Sequence, residues 1–313
     1  MKKIAIISGL LSGLLFGIAT PLSKLLLTDL NYFRLAGLLY IGAGIAMIPF
    51  VMKKDNNLIK LFTQRNILKT SGIILFGGLL GPLLLLIGLQ TAEAASVSIW
   101  LNMELVATAI LGVLIFQDHL DKFTWLGVIL TVLAGVIISI GEGISCVISG
   151  LIDTGACICW GLDNHLTAIT DGASPQTVTF VKGIVAGLVN LLIGVVISDN
   201  SFVLNNIFFA LIVGAFSYGI SISLYVTSAQ NIGAPRSQIL FSTAPLWGVI
   251  LAYILFRGSF RWVHLLAILL LAAAIAAINL LSQNHIHTHQ TLEHFHYHKH
   301  NHNGKNIPIR ISK

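Results

Sequence analysis

Long apolar stretches follow one another along almost the whole chain, and they limit the fold more than any other feature of the sequence. A helix that crosses the hydrocarbon core of a membrane needs about 20 mostly apolar residues. Turn signals divide the chain into ten stretches of that kind, at 4–27, 30–52, 67–90, 94–116, 123–140, 146–168, 175–198, 203–228, 235–256 and 262–281. The pattern predicts an all-α integral membrane protein with ten transmembrane helices in the lipid bilayer.

The composition excludes several classes of protein. Apolar residues make up 56% of the 313 and charged residues only 10%, less than half the usual share of charge in a soluble domain. A water-soluble enzyme is therefore excluded. The three cysteines are an odd number in one apolar region and indicate no disulfide framework. The net charge of +6 comes from residues dispersed between apolar runs, so nucleic acid is not an expected partner.

The basic residues favour one side of the membrane. With the N-terminus in the cytoplasm, only four of the 18 Lys and Arg residues lie at or near the outer face, namely Lys24, Arg34, Arg257 and Arg261. Cytoplasmic loops of membrane proteins carry an excess of Lys and Arg. The bias predicts that both termini are cytoplasmic, since ten spans return the chain to the side where it began.

The sequence contains an internal repeat at an offset of 140 residues. "GLQTAEAASVSIWLNMELVATAILGVLIF" aligns without a gap on "SAQNIGAPRSQILFSTAPLWGVILAYILF", pairing Gln90 with Gln230 and Phe116 with Phe256. Five helices per half is an odd number, so the second repeat enters the membrane from the opposite side. Inverted repeats of this kind are common in transporters, which hold the solute near the middle of the membrane between the halves.

These blocks, together with "FGIATPLSK" and "CWGLDNHLT", resemble the EamA-type permeases of the drug/metabolite transporter superfamily over about residues 4–281. The resemblance implies two EamA-like five-helix repeats, a first half at 1–143 and a second half at 144–282, in the inner (plasma) membrane. It also implies secondary-active transport of a small polar metabolite such as an amino acid, often outward, without a required cofactor. A homodimer is one assembly compatible with this expectation.

The family commonly has Glu-Pro in helix four, and here that place holds Glu104 followed by Leu105. Glu104 lies about 15 Å into its helix, near the middle of a ~30 Å hydrocarbon core. We expect Glu104, with the neighbouring Asn102, to couple or bind the solute in a central cavity. The alternative is a protonated carboxyl that only forms a hydrogen bond with a neighbouring helix.

Helix six carries two acids, Asp153 and Asp163, ten residues apart. The repeat makes Arg34 and Lys182 rough equivalents near opposite faces, which predicts an outer Asp153–Arg34 pair and an inner Asp163–Lys182 pair. Such pairs are either alternating gates or static pairs that lower the cost of inserting charge. Asn164, next to Asp163, joins the same candidate set.

Three prolines interrupt predicted helices, namely Pro21, Pro82 and Pro245. Broken helices in transporters expose backbone groups to a ligand, although kinks that only fit neighbouring helices are an equal alternative. His264 lies near the outer start of helix ten, where an interfacial histidine needs no functional role. No catalytic or nucleotide-binding motif is found in the sequence. We therefore predict that the protein is not an enzyme and that its transport is driven by a gradient of an ion or solute, or is passive.

The composition changes after Leu281, where residues 283–313 form a His-rich stretch that we expect to be a disordered cytoplasmic tail. Its eight histidines alternate with other residues and suit Ni, Co or Zn; they are His285, His287, His289, His294, His296, His298, His300 and His302. Metal binding there is either functional or adventitious. Two alternatives follow for the whole protein: a divalent transition-metal permease that uses the tail, or a non-transporting membrane metal sensor.

Overall fold

The computed structural model describes residues 2–52, 58–116, 122–170, 172–197, 204–232, 240–241, 243–257 and 261–277. Within these ranges every regular element is helical and there is no strand. The predicted all-α class is therefore confirmed. The eight tail histidines lie outside the described residues.

Up to Glu142 the helices are α1 (Lys2–Gly17), α2 (Ala19–Leu26), α3 (Tyr32–Val51), α4 (Ile67–Gly72), α5 (Gly81–Thr91), α6 (Ala94–Trp100), α7 (Met103–Phe116) and α8 (Lys122–Glu142). From Ile144 they are α9 (Ile144–Ala168), α10 (Pro175–Ile197), α11 (Leu204–Gly214), α12 (Ser221–Ile232), α13 (Ala244–Phe256) and α14 (Trp262–Ala276). A short 3₁₀ helix covers Leu58–Phe62, and two π-helical segments cover Ile73–Leu80 and Ala215–Ile220.

Eight helical segments of the described residues are long and apolar enough to cross a membrane. They are Lys3–Leu26, Tyr32–Val51, Ile67–Thr91, Ala94–Ile115, Lys122–Glu142, Ile144–Ala168, Pro175–Ile197 and Leu204–Ser228. Each lies within about two residues of a predicted span. The shorter apolar helices α13 and α14 fall inside the ranges predicted for spans nine and ten.

Four of these spans change their helical geometry along their length. The first breaks at Ile18 between α1 and α2, and the fourth breaks between α6 and α7. The third and the eighth each pass through a π-helical segment. Pro21, Pro82 and Pro245 each lie in the first turn of a helical segment. Proline is tolerated there because the first-turn N–H groups have no partner within the helix.

Helices from the two halves of the sequence pack closely against each other. α3 packs against α10, and α1 packs against α12 and α13. The contacts are close because a Cβ on Gly17 would overlap the Ala244 carbonyl, and a Cβ on Gly183 would lie 2.7 Å from the Tyr40 carbonyl oxygen. Small residues allow such approach between membrane helices. The segment Met1–Gln283 is accordingly one compact unit.

The side-chain contacts distinguish two ends of this bundle. At the Glu142 end, Lys24 reaches the end of α5, and Ser96 and His264 contact Glu142. The opposite end, called the Lys122 end, contains the starts of α8 and α10 and the end of α9. Lys69 there donates a hydrogen bond to the Ile169 carbonyl.

Candidate functional site

The helix α9 lies along the third span and places its two aspartates against two glycines of that span. The Asp163 carboxylate lies against Gly77, and the Asp153 carboxylate lies against Gly88. In both places a Cβ on the glycine would overlap the carboxylate. Both acids are buried, with 5% and 0% of their surface exposed, so each must be stabilised by its immediate neighbours.

Asp163 forms an ion pair with Lys182 of α10. The Lys182 Nζ lies 2.5 Å from Asp163 Oδ2, and both side chains are largely buried. The Thr167 hydroxyl donates a 3.4 Å hydrogen bond to the other carboxylate oxygen. The structure therefore contains the Asp163–Lys182 pair, and its position on the inner side and its role as a gate stay predictions.

The π-helical segment beside this pair offers backbone carbonyls to side chains of other helices. A wide π turn interrupts the regular i→i−4 ladder, and buried carbonyl groups need other donors. The Gly77 carbonyl accepts hydrogen bonds from the Tyr40 hydroxyl at 2.6 Å and from Trp160 Nε1 at 3.3 Å. Asn190 Nδ2 donates to the Gly78 carbonyl at 3.2 Å. Aromatic and amide side chains thus hold the interrupted segment in place.

Glu104 reaches the same region from the fourth span. This span is interrupted between Trp100 and Met103, and Glu104 stands in the first turn of α7, where the helix dipole favours a carboxylate. Its Oε1 accepts a 2.8 Å hydrogen bond from Asn164 Nδ2. Asp163 and Lys182 lie within electrostatic range of its carboxylate. Glu104 is half-buried and Asn164 is exposed, so part of this contact is accessible.

We call these residues the central polar cluster: Tyr40, Glu104, Trp160, Asp163, Asn164 and Lys182. Tyr40 and Glu104 belong to the first half of the sequence and the other four to the second. Glu104 and Gly77 are each ten residues from the start of their span, which corresponds to about 15 Å along a helix. The cluster therefore lies near the middle of the bundle, displaced toward the Lys122 end at Lys182.

The predicted outer pair is wrong, because Asp153 and Arg34 face different helices. Arg34 lies against α10 and donates from Nε to the Gly194 carbonyl at 3.0 Å. Asp153 faces the third span and accepts a 3.1 Å hydrogen bond from Ser149 on Oδ2, while its Oδ1 has no hydrogen-bond partner among the described residues. The packing of α3 on α10 rather than on α9 separates the two side chains.

Asn102, which we expected to act with Glu104, forms a hydrogen bond within its own segment of the chain. It is buried, and its amide donates a 3.3 Å hydrogen bond to the Ile99 carbonyl of the preceding turn. This contact caps the interrupted end of α6. The structure thus gives Asn102 a local role in the break that precedes Glu104.

Sequence reasoning missed Tyr40, Trp160 and the π-helical segment. Aromatic residues in apolar stretches have no distinctive pattern, because most of them only pack. The pair Gly77-Gly78 was the available signal, since two adjacent glycines weaken a regular helix. His264 was also misjudged, since it is only 1% exposed and its Nε2 lies 2.7 Å from Glu142 Oε1.

The comparisons with known proteins agree with this architecture. An uncharacterized transporter of Methanothermobacter thermautotrophicus is 28% identical, over 81% of this chain and 80% of that protein. A crystal structure superposes with a TM-score of 0.67 and 14% identity, over 91% of this chain and all of that one; at that identity it shows the fold alone. The model of the EamA-like transporter family matches twice, at residues 3–140 and 150–280. The chain therefore belongs to the EamA-like transporter family, and it is a multi-pass membrane transporter rather than an enzyme.

Proposed function

We propose that this protein is a secondary-active exporter of a small polar metabolite, such as an amino acid, and that the central polar cluster holds the solute. One observation carries the proposal: a buried Asp163–Lys182 ion pair stands beside a π-helical interruption and within range of Glu104. Ionisable groups are costly inside a membrane and usually mark a solute or ion path.

Alternating access between two inverted five-helix repeats completes the proposal. Two features support the repeats. The family model matches each half once, and the 140-residue offset carries the π-helical segment Ile73–Leu80 onto 213–220, which overlaps the second one at Ala215–Ile220. The residues of the cluster come from both halves. A relative movement of the halves would therefore open and close the same site.

The charges of the cluster fit a zwitterionic solute. The Lys182 ammonium would attract a carboxylate, while the Glu104 carboxylate would attract an ammonium group. A solute carboxylate that binds Lys182 competes with Asp163, so binding would loosen the pair that joins α9 to α10. In this scheme the Asp163–Lys182 pair is a gate, Asn164 orients Glu104, and Arg34 and Asp153 take no part in the solute site.

We place the Lys122 end and both termini in the cytoplasm of a cell with an inner (plasma) membrane, because the basic residues favour that side. The Lys182 side of the cluster then faces the cytoplasm. A cytoplasmic solute that carries a carboxylate would then meet the Lys182 ammonium group first, which favours loading from the cytoplasm.

The His-rich tail belongs to the same side in this proposal. We propose that its histidines bind Ni, Co or Zn without being needed for the transport step. Deleting 283–313 should lower the metal content of the purified protein and leave solute export unchanged. A loss of export on deletion would give the tail a part in transport.

The solute and the site are tested together by comparing cells that lack the protein with cells that overproduce it. Mass spectrometry of the medium should show one class of small polar metabolite that rises with the protein. Overproduced Asp163→Asn and Glu104→Gln should lose the rise, whereas Asp153→Asn on the same helix should keep it. Equal export by Asp163→Asn and wild type, at equal protein levels, would overturn the assignment of the site.

A further inference from the structure

A second group of ionisable side chains lies at the Glu142 end, outside the central polar cluster. Glu93 precedes α6, Glu142 ends α8, and His264 stands in the first turn of α14. One carboxylate oxygen from each acid and one imidazole nitrogen all lie within 4.8 Å of one another. Three separate spans thus bring three metal-ligating side chains to one point.

The inner part of this group is held in a fixed geometry. His264 Nε2 lies 2.7 Å from Glu142 Oε1, and Ser96 donates a 2.5 Å hydrogen bond to Glu142 Oε2. The imidazole packs edge-on against the Tyr253 ring, with centroids 5.5 Å apart. The Ser96 hydrogen bond is an outer contact of the kind that orients metal ligands in most metal sites.

An ion can reach the two carboxylates of this group from outside the bundle, and His264 lies buried behind Glu142. Glu93 and Glu142 line a cavity of about 290 Å³, together with Lys24, Cys146 and Arg261. A water molecule takes about 30 Å³, so the cavity has room for a metal ion and several of its waters. Glu93 is exposed, and its carboxylate forms no hydrogen bond or ion pair with any residue that the structure describes.

Of the two basic residues at the cavity, Lys24 lies within electrostatic range of Glu93, but its N–H groups are directed to main-chain carbonyls. Lys24 Nζ donates to the main-chain carbonyls of Leu89, Gln90 and Ala92, which occupies its three N–H groups. Arg261 donates from one terminal nitrogen to the Gly141 carbonyl. Within the described part of the chain, neither cation forms an ion pair with Glu93 or Glu142.

We propose that Glu93, Glu142 and His264 bind one divalent transition-metal ion of the Zn, Co or Ni class, with water completing its coordination. Two carboxylates and an imidazole suit these metals, whereas Mg²⁺ prefers oxygen ligands alone. The ion joins two residues of the first half of the sequence to one of the second. If the halves move as in the proposed function, the bound ion holds the Glu142 end closed and inhibits export.

Metal binding is tested by thermal unfolding of the full-length protein in detergent, which needs no knowledge of the solute. A ligand that binds only the folded state raises the unfolding temperature, here by about 5 °C at a metal concentration about 100-fold above Kd. We expect this rise with Zn²⁺, Co²⁺ or Ni²⁺, its reversal by EDTA, and no comparable rise with Mg²⁺. The tail histidines are present in every variant, so their contribution is common to all measurements.

Glu93→Gln is the decisive variant, because Glu93 is exposed and its replacement leaves the folded bundle intact. This variant should lose most of the rise, and His264→Gln should lose it as well if that variant folds. Asp29→Asn is the matched control, since Asp29 is an exposed carboxylate at the same end that accepts a hydrogen bond from Asn206 and, within the described residues, belongs to no group of metal-ligating side chains. It should keep the full rise.

Three results would overturn the metal site. They are the absence of any rise in the wild type with all three metals, an equal rise in Glu93→Gln and wild type, and an equal rise with Mg²⁺. Inhibition of export by Zn²⁺ added outside is a separate measurement. A metal site without inhibition would refute the closing role alone, and failure of the export assay in the wild type would bear on the proposed function instead.

Discussion

Asp153 and Asp163 occupy similar positions and have different partners. Both lie on α9, both are buried, and both press against a glycine of the third span. Asp163 faces Lys182 at 2.5 Å, whereas among the described residues Asp153 has the Ser149 hydroxyl alone, on one of its two oxygens. In the described part of the chain, this helix pair therefore holds an acid paired with a cation near one end and an acid without a cation near the other.

The difference follows from the geometry of the third span. At Gly77 the span is π-helical, and α10 comes close enough for Lys182 to lie beside Gly78. At Gly88 the span is regular α-helix within α5, and its carbonyl shares the single Ser149 hydroxyl proton with the Asp153 carboxyl group. The charged pair Asp163–Lys182 thus lies beside the part of the third span where the α-helix is interrupted. The predictions below test whether this distinction also separates function from packing.

The largest effect is expected from Lys182→Met. This change leaves the buried Asp163 carboxylate without its cation, and breaking such a pair costs about 3–5 kcal/mol. The free energy of unfolding in detergent, measured by denaturant titration, should fall by that amount. The double variant Lys182→Met with Asp163→Asn should recover most of the loss, because no uncompensated charge remains. A double variant as unstable as the single one would show that Lys182 acts through packing instead.

Methyl groups on the two glycines give the next effect. Gly77→Ala and Gly88→Ala both place a Cβ against a carboxylate, and overpacking costs about 1–3 kcal/mol. Gly77→Ala should be the more harmful of the two, since it displaces the carboxylate that Lys182 holds. The same unfolding measurement compares them directly. An equal loss in the free energy of unfolding for the two variants would mean that displacing the Asp163–Lys182 pair carries no extra cost.

A smaller effect is expected from Asp153→Asn. The amide keeps the shape of the side chain and its oxygen still accepts from Ser149, so the free energy of unfolding should change by no more than about 1 kcal/mol. Export should be retained. A loss of export with normal folding would return Asp153 to the set of coupling residues.

The smallest effect on stability is expected from Asn164→Ala. It removes one hydrogen bond to Glu104 at an exposed position, which is worth about 0.5 kcal/mol, the low end of the range for a hydrogen bond. Export should fall more than stability, because Glu104 loses the group that orients it. If stability and export fell by similar amounts, Asn164 would act through packing rather than by orienting Glu104.

Much of this fold follows from hydropathy, and the reason is physical. A membrane allows only segments that satisfy their own backbone hydrogen bonds, so the length of each apolar run fixes each helix. All eight spans of the described residues lie where the sequence predicts them. The Asp163–Lys182 pair was also predictable, since both residues lie near the same end of neighbouring spans.

The rotation of each helix about its axis could not be predicted. Whether Arg34 faces Asp153 or Gly194 depends on which helix packs against α3, and a uniformly apolar helix carries no signal for that choice. The π-helical segment depends on donors such as Tyr40 and Trp160, which come from other spans. For the same reason, the approach of His264 to Glu142 was visible only once α8 and α14 were packed together.

The central claim is that the charged pair of the cluster handles the solute, and export from reconstituted vesicles tests it most directly. Vesicles are loaded with a mixture of small polar metabolites, and mass spectrometry follows what leaves them. We predict that the wild-type protein and the Asp153→Asn variant release one chemical class of solute. The single variant Asp163→Asn and the double variant Lys182→Met with Asp163→Asn should not release it. Release of the same solute at the same rate by all four proteins would contradict the account.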